Sequence, residues 1–163
     1  MAVFASDGIE IFFEEAGQGN PVLLIHGFAS NGRVNWTNTG WVKTLAGAGH
    51  RVIAIDNRGH GFSAKLYDPA QYSAEIMAED ARRLLDHLAI PTADVIGYSM
   101  GARIAAFLAV NHGARVRRAV FAGLAARMMT GVGDGEAVAR ALEARSADDI
   151  EAPGPRGFRI FAE

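Results

Sequence analysis

The chain has 163 residues, of which 50% are hydrophobic and 21% are charged, and it contains no cysteine. This length suits one domain with a sizeable core, and the formal net charge of −2 gives no electrostatic basis for binding nucleic acid or an anionic membrane. The lack of cysteine excludes disulfides, thiolate metal sites and a thiol nucleophile. Because no apolar run approaches the ~20 residues of a membrane span and no signal peptide is recognisable, we expect a cytoplasmic protein.

Six segments before residue 123 predict strands. Residues 3–5 and 9–15 flank Ser6-Asp7-Gly8, and an Asp-Gly pair between two such runs is typical of a β-hairpin. Further along, short continuous apolar runs are typical of strands that are buried on both faces. These runs cover residues 22–25, 52–55, 94–98 and 118–122.

Helices are predicted between these strands, over residues 36–48, 73–89 and 100–112. The second has a capping residue, Ser73, and apolar residues at helical spacing, whereas the third is rich in small residues that suit packing against a sheet. Alternating strands and helices indicate an α/β protein with a mostly parallel sheet and helices on both faces.

The alternation of predicted strands and helices ends after residue 123. Three glycines, at 131, 133 and 135, open a loop, residues 136–145 predict a short helix, and residues 158–163 resemble the first turns of another. We therefore interpret residues 124–163 as an excursion from the sheet.

The sharpest motif is Gly97-Tyr98-Ser99-Met100-Gly101, which directly follows a predicted buried strand and directly precedes a predicted helix. This is the context of a nucleophile elbow, in which a strained turn projects a serine hydroxyl away from the sheet. Glycines two residues before and two after the serine let strand and helix approach closely. The alternative is a turn with a purely structural role.

A second motif, His26-Gly27-Phe28, ends another predicted strand. Carboxyl ends of parallel strands share one edge of a sheet, so this loop is expected beside Ser99. Acyl transfer needs two N–H donors for the developing oxyanion, and the amides of Phe28 and Met100 are the candidates. His26 could act as a general base, but a histidine that holds the loop by hydrogen bonds is the favoured interpretation.

The segment from Asp56 to Ser63 lies at the same edge. Within it, Gly59-His-Gly-Phe-Ser-Ala64 matches a dinucleotide-binding pattern, which we reject because Pro69 follows and no helix opens at the glycines. We expect Asp56 and Arg58 to join neighbouring loops through an ion pair.

These three motifs, in this order and spacing, resemble the α/β-hydrolase fold superfamily, and most closely its capped esterase, enol-lactonase, carbon–carbon hydrolase and cofactor-free haloperoxidase branches. The resemblance covers residues 1–123, which it implies are the N-terminal part of a hydrolase core with an antiparallel N-terminal hairpin. It implies that Ser99 is the nucleophile, that the Phe28 and Met100 amides form the oxyanion hole, and that residues 124–163 begin a cap.

The family's triad continues with an acid and then a histidine, and neither is evident here. His112 is the one histidine after Ser99, at the far end of the predicted helix, and Asp134, Asp148 and Asp149 lie in the excursion. His60 and His26 are the two histidines expected near the edge that carries Ser99. We therefore expect the triad acid and histidine beyond residue 163, and a sheet truncated after its sixth strand.

Two classes of function remain open. The first is a serine hydrolase that acts on a small apolar ester, thioester or lactone through an acyl-enzyme, with little activity in the 163-residue chain alone. The second is a non-catalytic binding or assembly module. A C-terminal fragment or a second copy would cover the exposed sheet edge. A substrate pocket is suggested by several apolar side chains, above all Tyr98 and Met128 but also Phe28, Met100 and Met129, although ordinary core or cap packing explains each of them equally well. Neither a metal nor a cofactor is implied.

Overall fold

A computed structural model describes residues 2–125 and 140–151, together with residues 153, 156 and 159. Within them, six strands form one sheet in the order β1-β2-β4-β3-β5-β6. The strands are β1 (Ala2–Ser6), β2 (Ile9–Ala16), β3 (Asn20–Ile25), β4 (His50–Ile55), β5 (Ala93–Tyr98) and β6 (Val116–Ala122). The α-helices are α1 (Trp41–Gly47), α2 (Ala74–His87) and α3 (Met100–Asn111).

The predicted hairpin is confirmed. β1 pairs antiparallel with β2, with Ser6 opposite Ile9, so Asp7 and Gly8 form a two-residue loop. Both loop residues have positive φ angles, 52° and 78°, which suit the twist of a tight hairpin. β2 then pairs antiparallel with β4, and the remaining strand pairs are parallel.

Helices cover both faces of the sheet, as predicted. On one face, α2 and α3 pack apolar side chains against the sheet in the larger core, which includes Leu23, Ile53 and Val95. On the other face, residues of α1 pack with the buried Trp36 against Val22 and Val52. This is the α/β-hydrolase arrangement expected from the sequence.

The predicted helix over 36–48 is divided in two. A π-helical turn spans Arg33–Thr37, and α1 begins only at Trp41. Gly40 separates them with a φ of 85°, a left-handed conformation that a continuous right-handed helix does not contain. The predictions over 73–89 and 100–112 are met by α2 and α3.

β6 is the last strand at its side of the described sheet, where it pairs with β5. Its side chains Val120 and Phe121 are 53% and 42% exposed. One compact unit of the chain ends at Leu124, and the division into residues 1–123 and 124–163 as core and cap stays a prediction.

In the second unit, residues 140–143 are helical and a 3₁₀ turn spans Ala147–Asp149. The predicted glycine loop and residues 136–139 lie outside the described residues, as do Met128, Met129 and most of 158–163. Within the part that the structure describes, none of the helices is long and apolar enough to cross a membrane.

Candidate active site

Ser99 occupies a sharp turn between β5 and α3. It is the single residue between Tyr98, the last of the strand, and Met100, the first of the helix. Its φ of 53° and ψ of −116° lie in a region that L-residues rarely adopt, which costs about 1–3 kcal/mol. The Ser99 N–H donates to the Ala122 carbonyl at 2.8 Å and so ties the turn to β6.

The two glycines of the motif are required by close backbone contacts. A Cβ atom on Gly97 would lie 2.2 Å from the Gly101 carbonyl oxygen, and one on Gly101 would lie 2.1 Å from the Ile25 carbonyl oxygen. Neither position can hold a side chain without moving the backbone. The contact of Gly97 with Gly101 is the close approach of strand and helix that the motif predicted, and Gly101 also packs directly against the end of β3.

The loop after β3 lies against the elbow. A Cβ atom on Gly27 would lie 3.2 Å from the Tyr98 ring and 3.4 Å from the Ser99 Cβ. The carbonyl oxygen of His26 also lies close to Gly101, 2.6 Å from where a Cβ would be. The structure thus brings together the His26-Gly27-Phe28 motif and the serine turn.

His26 is fully buried, and both of its ring nitrogens are engaged. Nδ1 lies 2.7 Å from the Gly27 carbonyl oxygen, while Nε2 accepts the Asn57 backbone N–H at 3.0 Å. A carbonyl can only accept and an N–H can only donate, so the neutral ring carries its proton on Nδ1. Burial lowers the pKa of His26 to about 4 and keeps it neutral. The interpretation of His26 as a loop-holding residue is confirmed.

This contact orients the first candidate donor. A peptide group is planar and trans, so its carbonyl and N–H point in opposite directions. Because His26 holds the Gly27 carbonyl, the N–H of Phe28, in the same peptide group, is directed away from the imidazole. The second candidate donor, the Met100 N–H, belongs to the first turn of α3, where backbone N–H groups have no partner within the helix and favour negative charge.

The candidate pocket side chains differ in their exposure. Phe28 is 41% exposed and Tyr98 is 48% exposed, so both reach the surface at this edge of the sheet. The Met100 side chain is partly buried and packs against the larger core. Core packing is the alternative that the sequence left open for Met100, and a pocket role for this side chain stays a prediction.

The predicted ion pair between Asp56 and Arg58 is wrong. The carboxylate of Asp56 accepts two backbone N–H groups, from Gly32 at 2.7 Å and from Phe62 at 2.9 Å. Arg58 is buried and donates to both carboxylate oxygens of Asp80 on α2, each at 2.7 Å. The two side chains thus have different partners, although each does connect neighbouring segments.

Several hydrogen-bond partners of Arg58, His26 and Gly27 were not predicted from the sequence. Asp80 also accepts the Ser6 hydroxyl at 2.5 Å, and a carboxylate among the apolar residues of one helix face could have indicated it. Asn57 holds His26, and Asn35 accepts the Gly27 N–H at 2.8 Å. No sequence pattern distinguishes these asparagines from ordinary loop residues.

The other described candidate acids and bases have other partners. His112 follows the C-terminal end of α3, where Nε2 pairs with Glu79 of α2, so its prediction as a residue remote from the elbow is confirmed. Asp149 caps a 3₁₀ turn and Asp148 is 85% exposed. Within residues 2–125 and 140–151, no hydrogen bond joins the Ser99 hydroxyl to a histidine.

His60 lies next to His26. Its ring centre is 5.2 Å from that of His26, and its Nδ1 lies 2.9 Å from the Arg58 carbonyl oxygen. Burial is the largest influence on its pKa, which is lowered from the ordinary value.

Across the described ranges, no three histidine, aspartate or glutamate side chains gather as metal ligands would.

Comparison with known proteins supports the fold. Residues 20–155 match the family model described as the alpha/beta hydrolase fold. A non-heme chloroperoxidase of Kitasatospora aureofaciens is 39% identical over 115 residues, which are 70% of this chain and 40% of that protein. A 2-hydroxymuconate semialdehyde hydrolase of Pseudomonas sp. (strain CF600) is 39% identical over 118 residues, 72% of this chain and 41% of that protein.

Among solved structures, the epoxide hydrolase CorEH without ligand is similar with a TM-score of 0.66 and 30% identity, covering 72% of this chain and 40% of that one. The chain thus spans about two fifths of the length of the curated relatives that it matches. With the elbow, the adjoining glycine loop and the sheet order, these matches establish that the chain belongs to the α/β-hydrolase fold family.

Proposed function

We propose that Ser99 is the nucleophile of a serine hydrolase that cleaves a small apolar ester, thioester or lactone through an acyl-enzyme. The observation that carries this proposal is the conformation of Ser99, held with a positive φ at the tip of β5 against the Gly27 loop. A strained backbone conformation is typical of functional sites. The relatives are named as a chloroperoxidase, a semialdehyde hydrolase and an epoxide hydrolase, so substrate class does not follow from them.

In the proposed reaction, the Ser99 Oγ attacks the carbonyl carbon while a base takes the hydroxyl proton. The carbonyl oxygen becomes an oxyanion that accepts the N–H groups of Phe28 and Met100. The tetrahedral intermediate collapses, the alcohol or thiol leaves with the proton, and water then releases the acid from Ser99. In a lactone, the leaving alcohol stays attached to the product.

The base in this proposal is a histidine beyond residue 163, oriented by an acid that is also beyond it. His26 does not fit the role, because Nδ1 donates to Gly27 and the Nε2 lone pair already accepts the Asn57 N–H. Without base and acid, the oxyanion hole and substrate binding leave only a residual rate, so we expect very low activity in residues 1–163 alone.

For substrate binding, we propose Tyr98 and Met128. Tyr98 is directly next to the nucleophile and its side chain is 48% exposed, which favours contact with an apolar substrate. Residues 124–163 would begin the cap over this site. The edge of β6, with Val120 and Phe121 exposed, would be covered by a C-terminal part of the protein or by a second copy. A cytoplasmic location stays a prediction.

The same exposed strand favours the second candidate function, a non-catalytic assembly module that pairs through β6. The discriminating experiment compares p-nitrophenyl esters, matched thioesters and lactones as substrates of the complete protein and of its Ser99→Ala variant. A burst of p-nitrophenol equal to the enzyme concentration, absent from the variant, would support the acyl-enzyme. A stable oligomer with the same background rate as its variant would replace the hydrolase by the assembly module.

A further inference from the structure

Gly27 is held on both sides, and the second contact comes from a part of the chain that the catalytic motifs do not include. Asn35 lies in the π-helical turn Arg33–Thr37, and its side-chain oxygen accepts the Gly27 N–H at 2.8 Å. This hydrogen bond joins the turn to the loop that carries Phe28. π-helical turns are rare and occur often at functional sites.

The contact restricts a residue that is otherwise the most flexible in the loop. Glycine has wide conformational freedom, so the Phe28 N–H could take many directions if Gly27 were held at one end only. In the peptide group before Gly27, Asn35 accepts the N–H, and the Asn57 side-chain amide donates to the His26 carbonyl oxygen at 3.3 Å. In the peptide group after Gly27, the His26 ring holds the carbonyl. With both peptide groups held, the direction of the Phe28 N–H is set before any substrate binds.

Asn35 is itself well anchored. Its backbone N–H donates to the Asn31 carbonyl at 3.0 Å, and its carbonyl accepts the Thr39 hydroxyl at 2.6 Å. The next residue, Trp36, is 4% exposed and packs into the smaller core with Val22. The amide side chain therefore projects from a backbone that the core holds in place, as a positioning group requires.

We propose that Asn35 is a positioning residue for the oxyanion hole, acting through Gly27 on the N–H of Phe28. This inference rests on the proposed function, because it assigns the held amide to the oxyanion. Asn35 touches neither the substrate nor Ser99 in this account. Its effect belongs to the transition state, where the oxyanion develops, and not to binding of the ground-state ester.

The test uses the complete protein and four variants. Asn35→Ala removes the acceptor, and Asn35→Asp keeps an acceptor oxygen at the same place. Asn31→Ala is the matched control, because the Asn31 side chain accepts a different backbone N–H, that of Val34 in the π-helical turn, at 2.9 Å. Ser99→Ala reports the rate without the nucleophile.

For ester hydrolysis, we expect Asn35→Ala to lower kcat by about 10- to 100-fold, less than the loss of an oxyanion donor itself, with KM within about twofold. The inhibition constant of a trifluoromethyl ketone, which forms an oxyanion on the serine, should rise by the same factor. Asn35→Asp should stay within about fivefold of wild type, and Asn31→Ala should match wild type.

Two results overturn the inference in different ways. In the first, Ser99→Ala is inactive, but Asn35→Ala has the same kcat as Asn31→Ala, or Asn35→Asp lowers kcat as much as Asn35→Ala does. Asn35 then has no positioning role, and the proposed function stands. In the second, Ser99→Ala hydrolyses the esters as fast as wild type, and both the proposed function and the inference that rests on it fail.

Discussion

Lowering the pH should destabilise the protein through His26. Folding lowers the pKa of its imidazole from 6.5 to about 4, chiefly through burial, so the folded protein binds fewer protons than the unfolded chain between these values. Stability therefore falls as the pH falls through this window, whereas above pH 6.5 the effect is absent. Between pH 7 and pH 5, this single group should remove about 2 kcal/mol from the free energy of unfolding.

The assay is a histidine titration by NMR, combined with urea unfolding at pH 7 and pH 5. We expect the His26 ring to stay neutral at pH 5 with its proton on Nδ1, as the contacts with Gly27 and Asn57 require. His60, whose pKa is also lowered, adds a slope of the same sign, so the His26 part is the difference from a His26→Gln variant. A His26 ring that titrates between pH 6 and 7 would refute the reasoning.

Three further predictions concern stability and are checked by urea unfolding. Asp80→Ala leaves the buried Arg58 guanidinium without its carboxylate and should lower the free energy of unfolding by about 3–5 kcal/mol. Glu15→Ala, in the exposed pair with Arg51, should lower it by less than about 1 kcal/mol, and equal losses in the two variants would contradict this reasoning. Ser99→Gly should stabilise by about 1 kcal/mol while activity is lost, because glycine tolerates the positive φ, and Ser99→Ala should give no such gain. Gly101→Ala should lower the free energy of unfolding by about 1–3 kcal/mol or more, because the added Cβ would meet the Ile25 carbonyl. At Gly47 an added Cβ meets nothing within 4 Å, so Gly47→Ala should not destabilise the protein.

The strands and the elbow could be predicted because their causes are local. A buried parallel strand needs a continuous apolar run, and the Asp7–Gly8 turn needs residues that accept positive φ. The glycines around Ser99 follow from the same logic, since Gly97 in the strand meets the Gly101 carbonyl in the helix, four residues later, and leaves no space for a side chain. In these places, one short segment contains most of the information.

Other features depend on residues far apart in the chain. Arg58 pairs with Asp80, and Gly27 donates to Asn35. The apolar helix face around Asp80 indicates a buried carboxylate, but no local pattern shows which residue Asp80 or Asn35 contacts. The predicted pair of Asp56 and Arg58 failed because proximity in sequence does not decide which way two side chains point. The helix over 36–48 failed because Gly40 has a left-handed conformation that propensity alone does not reveal.

The most direct test of the central claim is the intact mass of the purified complete protein before and after treatment with a fluorophosphonate serine probe, with Ser99→Ala as the control. The account predicts one covalent adduct, mapped by peptide digestion to Ser99 and absent from the variant. A protein that takes no label, or a variant that is labelled as fully as wild type, would contradict the assignment of Ser99 as the nucleophile.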